Sequence, residues 1–241
     1  MIETEAASGN SEETKRKPPI ATIFIIVAIA AIGIYGYFSF TDSNKSGQLL
    51  VKGYEALKAD NYKDGTEMLT KALEADPQNA DAYMLRAIAY GKQGAHKEAI
   101  ADLDKAISIN PRLTEAYVNR GIAYAALSKH TDAIADLDKA LQLDPKHRYA
   151  YIARARSLMT SGNMAKAIED YSKAVELDPN DPSPFYNIAC VYSINKDTSK
   201  ACEYLKKSID RGMSSFSAMK QDKDLDNIRN SSCYKKIMEG K

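Results

Sequence analysis

Three arginines, Arg86, Arg120 and Arg154, recur every 34 residues, and three aspartates, Asp102, Asp136 and Asp170, recur in step with them. Such groups could form an anion-binding ladder. Because both series keep one interval, a structural ion pair inside each repeating unit is the simpler reading. His96 and His130 also lie one interval apart. Without acidic or thiol company they are expected as exposed surface. The three cysteines, Cys190, Cys202 and Cys233, show neither metal-ligand nor redox spacing. They read as small buried or half-buried helix residues, with a single bridge open to them in an oxidising compartment. There is no glycine-rich phosphate loop, no cluster spaced for a metal and no nucleophile with a base beside it. Neither an enzyme nor a cofactor is expected.

The elements that position these residues follow from the same interval. Pro77, Pro111, Pro145 and Pro179 stand 34 residues apart, each after Asp or Asn. Proline cannot continue a helix and pushes the preceding residue out of the α region, so each marks a helix end and a turn. The half from Ala80 overlays on the half from Thr114: Tyr83 falls on Tyr117, Tyr90 on Tyr124, Ala99 on Ala133 and Ala106 on Ala140. Numbered from Ala80, positions 4, 8 and 11 carry Tyr83, Ala87 and Tyr90, one face of a helix with a small residue between two large ones. Ala99, Leu103 and Ala106 make the matching face of a second helix. Small and large side chains can then interlock across the pair. An alanine-rich, glycine-poor body agrees with an all-α fold.

This pattern resembles the tetratricopeptide repeat: an aromatic at position 4, a small residue at 8, an aromatic at 11, alanines at 20 and 27, proline at 32. The units ending at Pro111 and Pro145 match closely, and the one ending at Pro179 carries Tyr151, Ala155, Ala167, Tyr171 and Ala174. The first unit is weaker, with Leu49, Ala56 and Gly65 at three of these places. A fifth has Phe185, Ala189, Tyr192 and Ala201, but Ser208 at position 27 and Met213 in place of the proline. The resemblance implies a right-handed superhelical solenoid of antiparallel helix pairs. The units are expected at 46–79, 80–113, 114–147, 148–181 and 182–212, with short capping helices over 213–241.

Two segments precede the array. Residues 1–19 are polar, carry four glutamates and the cluster Lys15, Arg16, Lys17, and are expected to be disordered. Residues 20–40, from Ile20 to Phe40, hold no charge. That run is long enough to cross a hydrocarbon core of about 30 Å, and Tyr35, Tyr37 and Phe38 suit an interfacial belt. A signal peptide would have a shorter apolar run and a small-residue cleavage site. A single transmembrane helix in a lipid bilayer is therefore expected, followed by a linker over 41–45 that reaches at most about 18 Å. The basic cluster before it places the N-terminus in the cytoplasm and the repeats outside. With 33 basic and 32 acidic residues, the chain lacks the charge of a nucleic-acid binder.

In the resembled family the first helices line a concave surface, and positions 2, 5, 9 and 12, with 6 and 13 beside them, form the groove. Position 5 reads Leu50, Met84, Val118, Ile152 and Tyr186 along the array. Position 9 reads Tyr54, Ile88, Ile122, Arg156 and Cys190, and position 6 reads Val51, Leu85, Asn119, Ala153 and Asn187. An apolar or amphipathic peptide is the expected ligand, its backbone held by Asn119 and Asn187. The same side chains could instead pack against neighbouring units or the array's own tail. The clamp by which some members of that family hold chaperone C-termini is not expected, because Asp81, Glu115 and Tyr149 occupy position 2 and only Asn119 fits. The expected function is a membrane-anchored interaction module acting as adaptor or assembly factor. The alternative is a constitutive structural subunit of a membrane complex.

Overall fold

The computed structural model describes residues 45–239. Every regular element among them is helical. Ten helices form five pairs: α1 (Lys45–Lys58) with α2 (Tyr62–Ala75), α3 (Ala80–Lys92) with α4 (His96–Ile109), α5 (Thr114–Ala126) with α6 (His130–Leu143), α7 (Arg148–Thr160) with α8 (Met164–Leu177), and α9 (Pro182–Ile194) with α10 (Thr198–Asp210). Each helix packs mainly on its partner and on the next unit, which makes an all-α solenoid. The run 20–40, read as a membrane span, lies outside the described residues, as do the tail and most of the linker. Among the described residues no helix is long and apolar enough to cross a membrane.

The turns explain the period. Asp76, Asn110, Asp144 and Asp178 end the second helices with extended backbone, ψ between 90° and 95°, as a following proline requires. Each also accepts a hydrogen bond from the backbone N–H two residues on, at Gln78, Arg112, Lys146 and Asn180. These four identical Asx turns set the next helix at the same angle each time. Between the helices of a pair, Asp60, Gly94, Ser128, Gly162 and Lys196 all hold positive φ, so a left-handed residue closes every hairpin whether or not it is glycine.

Packing follows the small–large alternation. Leu69, Leu103, Leu137, Tyr171 and Leu205 occupy one position of the second helices and are buried. They press on Gly53, Ala87, Gly121, Ala155 and Ala189 of the first helices, all buried too. Gly121 is needed at its place: a Cβ there would stand 2.8 Å from Leu137 Cγ and 3.1 Å from the Ala133 carbonyl oxygen.

At the C-terminal end a sixth first helix begins on the beat, as α11 (Phe216–Gln221), and stops after six residues. The chain makes a 3₁₀ turn over Lys223–Leu225, then forms α12 (Asp226–Arg229) and α13 (Ser232–Met238). Met219, Leu225, Ile228 and Tyr234 bury themselves against the last pair. Of the two readings open to the cysteines, a bridge forms: Cys202 on α10 is bonded to Cys233 on α13, with Cα atoms 6.1 Å apart. Cys190 is a free buried thiol.

Candidate functional site

The arginine–aspartate series is structural, and it does more than join two helices of one unit. Arg86 grips Asp102 with Nε and Nη2 at 2.7 and 2.8 Å, and its Nη1 donates to Thr70 of the preceding unit. Arg120 holds Asp136 at 2.7 Å on both nitrogens and reaches back to Asp104 at 2.6 Å. Arg154 repeats this with Asp170 and with Asp138. Bidentate bonding to Asp136 and Asp170 keeps both guanidinium pKa values raised, so these arginines are permanent cations already paired. The ion pair within each unit was readable from the sequence. The link to the unit before was not, because it depends on how units stack.

The concave face departs from expectation. Of the fifteen residues read at positions 5, 6 and 9, Leu50, Met84, Leu85, Ile88, Val118, Ile152, Ala153, Tyr186 and Cys190 are buried, none more than 8 % exposed. Stacked first helices approach closely enough that position 5 is consumed in packing along the whole array, whereas position 6 is buried only at Leu85 and Ala153. Tyr54, Asn119, Ile122 and Asn187 are half-buried, and Val51 and Arg156 are exposed. Asn119 donates its Nδ2 to the Glu115 carbonyl of its own helix at 2.8 Å, so this amide hydrogen is not held out for a partner's backbone.

A concavity of about 480 Å³ opens instead across units two to four. From the expected set it takes Ile88, Asn119, Ile122, Ala153 and Arg156. Its other walls come from positions 12 and 13, at Gly91, Lys92, Ala125, Ala126 and Thr160, and from the starts of the second helices, at His96 and His130. Gly121 and the alanines around it leave the room. The two histidines are therefore half-buried wall residues and not plain surface, and His130 Nδ1 is buried without a hydrogen-bond partner. Ser157, 1 % exposed, lines the same space with its Oγ unpartnered. Burial lowers the pKa of the Lys92 ammonium here. The signal that could have found these residues is the recurrence of His at the first position of two successive second helices.

In unit five the tail closes the groove. Tyr186 donates its hydroxyl to Asp222 Oδ2 at 2.5 Å, and the Asp222 Oδ1 accepts the Asp224 N–H. Cys190, Asp222 and Asp224 bring three potential ligand atoms within 4.8 Å of one another. Burial, then the charges of Asp222 and Asp224, push the Cys190 thiol well up, so it stays protonated. We read this cluster as the joint between tail and groove. A third polar contact fixes unit four on unit three: His147 Nδ1 accepts the Ala150 N–H, which leaves Nε2 to donate to Glu115 at 3.0 Å.

Comparison with known proteins agrees with this architecture. The family profile of the tetratricopeptide repeat matches residues 50–113 and 118–182, and a second profile of the same description matches 171–203. The human small glutamine-rich tetratricopeptide repeat-containing protein beta is 40% identical over 59 residues, which are 24% of this chain and 19% of that protein. The chain thus matches less than a fifth of that relative's length. Among solved structures, MamA superposes with a TM-score of 0.60 at 24% identity over 66% of this chain and 93% of that one. YrrB, described as a repeat protein with an unusual peptide-binding site, gives 0.60 at 22% over 79% and 94%. A thermophilic repeat protein of Thermus thermophilus gives 0.61 at 18% over 72% and 95%. With a profile spanning over half its length and the helix pairs that profile describes, this chain belongs to the tetratricopeptide repeat family.

Proposed function

We propose that the chain is a non-catalytic, membrane-anchored interaction module, an adaptor or assembly factor that holds a peptide segment of its partner in the concavity of units two to four. One observation carries the reading: an open space of about 480 Å³ with an apolar floor and half-buried polar walls, on the inner face of a stacked array. Of the residues first expected there, Ile88, Asn119, Ile122 and Arg156 are kept as the contact set. Photo-cross-linking from position 122 in the full-length protein tests it. Label at Ile122 should capture a partner that label at the exposed Leu177, on a second helix, does not. If an Ile122→Glu variant with unchanged circular dichroism retained every partner, the groove reading would be lost.

The anchor remains the reading of the uncharged run 20–40, with the N-terminus cytoplasmic. The Cys202–Cys233 bridge supports an outer placement of the repeats, because such bonds persist in oxidising compartments. Protease added to intact spheroplasts should then digest the array. Digestion only after lysis would move it to the cytoplasmic side.

A further inference from the structure

We propose that the ligand of this groove is a peptide segment that combines acidic with apolar side chains, its carboxylates held at the rim and its apolar groups on the floor. The inference rests on the groove reading above and adds the chemistry of the partner.

The wall is of one sign. Its ionisable side chains are Lys92, His96, His130 and Arg156, and among the described residues no aspartate or glutamate lines the space. Overall composition does not explain this, since acids and bases are almost equal in number across the chain. Asp102 and Asp136 are held by Arg86 and Arg120, Asp104 and Asp138 by the next unit's arginine, and Glu115 by His147, while Glu98 and Asp132, in the first turns of α4 and α6, stand outside the lining. The lining of the cavity therefore supplies positive charge and no acidic side chain.

Helix ends add to it. α4 and α6 start at His96 and His130, both cavity residues, and neither start has a side-chain cap. α2 and α3 are capped by Asn61 and Asn79, while α5 and α8, whose starts do not line the cavity, are also uncapped. An uncapped helix start leaves backbone N–H groups in need of acceptors and carries the positive end of the dipole. Ser157 Oγ and His130 Nδ1 are buried polar atoms without partners in the same space. Buried polar atoms in folded proteins are normally bonded, and a carboxylate accepts from several donors at once. The floor, from Ile122, Ala125 and Ala126 with the buried Ile88, Leu103 and Leu137 behind them, offers nothing to a charge and suits an apolar side chain. A ligand with both characters satisfies all of these groups. A nucleic-acid strand would leave the apolar floor unused.

A displayed library of random twelve-residue peptides, selected on the full-length protein in detergent micelles and counter-selected on the folded Ile122→Glu variant, tests this directly. Groove-dependent binders should carry a clear excess of Asp and Glu over Lys and Arg. Synthetic copies with each Glu changed to Gln should bind roughly tenfold more weakly, as expected for losing one charge-assisted hydrogen bond. The Lys92→Glu/Arg156→Glu double variant should lose the acidic peptides by at least that factor. The peptide swap needs no change to the protein, so it decides the matter even where a variant unfolds. Groove-dependent binders without an acidic excess, or with Gln copies that bind equally, would overturn the inference and leave the groove reading standing. Acidic peptides that bind Ile122→Glu as well as the parent would place the recognition elsewhere and also overturn it. An absence of any Ile122-dependent peptide, or a preference for single-stranded RNA over every peptide, would remove both.

Discussion

Arg120 shows how much one side chain does in this array. It lies flat between two units, with Asp136 on one side, Asp104 on the other and the Tyr117 ring 5.7 Å from its guanidinium carbon. Replacing it with alanine leaves Asp136, 7 % exposed, as a charge with no counterpart. Removing one partner of a well-buried pair costs about 3–5 kcal/mol, and partial exposure of Arg120 puts this case near or slightly below the lower end. Arg120→Ala should accordingly lower the unfolding free energy by roughly 2–3 kcal/mol. Arg120→Met with Asp136→Leu should recover most of it, measured by urea melts followed by circular dichroism. Equal losses in the single and double variants would show that packing by the arginine stem, and not the pair, is what matters. At this scale the sequence was informative wherever an interaction stays inside one period. It was silent where two periods meet, so the contacts of Asp104 and Asp138 with the next unit's arginine emerge only from the stacking.

The elements tell a similar story. Ten helices and their turns were legible because each boundary carries its own local chemistry, such as the Asx turn before each proline, which does not depend on distant residues. The destiny of each helix face was less legible. Met84 and Leu85 are apolar at positions where an open groove could also be apolar, and only the distance between neighbouring first helices decides that they are buried. The tail departs from the period after Gln221, so nothing in the repeat register indicated that Asp222 would return to Tyr186. The disulfide holds that return in place. It closes a loop of about 31 residues, for which the chain-entropy account gives roughly 3–4 kcal/mol. Reduction, or Cys233→Ser, should therefore loosen α11 to α13 first. Limited proteolysis followed by mass spectrometry should find new cuts after residue 213 while the pairs α3 to α8 remain intact. Cleavage appearing first within those central pairs would contradict this order.

Across the whole molecule, stability is shared among joints between neighbours, with no single centre. The joints on either side of unit three are chemically alike: Arg120 meets Asp104 as Arg154 meets Asp138, and the same Asx turn precedes each. The units are thus interchangeable parts. Excising 114–147 would bring Arg154 opposite Asp104, remove Glu115 together with its partner His147, and join Leu113 to Arg148 at an equivalent point of the turn. The shortened protein should fold, with one helix pair less by circular dichroism and a cooperative melt. An unfolded product would mean that the joints differ in ways their contacts do not reveal. Yet the excised segment holds Asn119, Ile122 and His130, the middle of the concavity that spans units two to four. The architecture is indifferent to how many copies it contains, while the groove exists only where particular side chains of three successive units follow one another. Evolution could lengthen or trim such an array by whole units without upsetting its folding, and change its partner each time it did so.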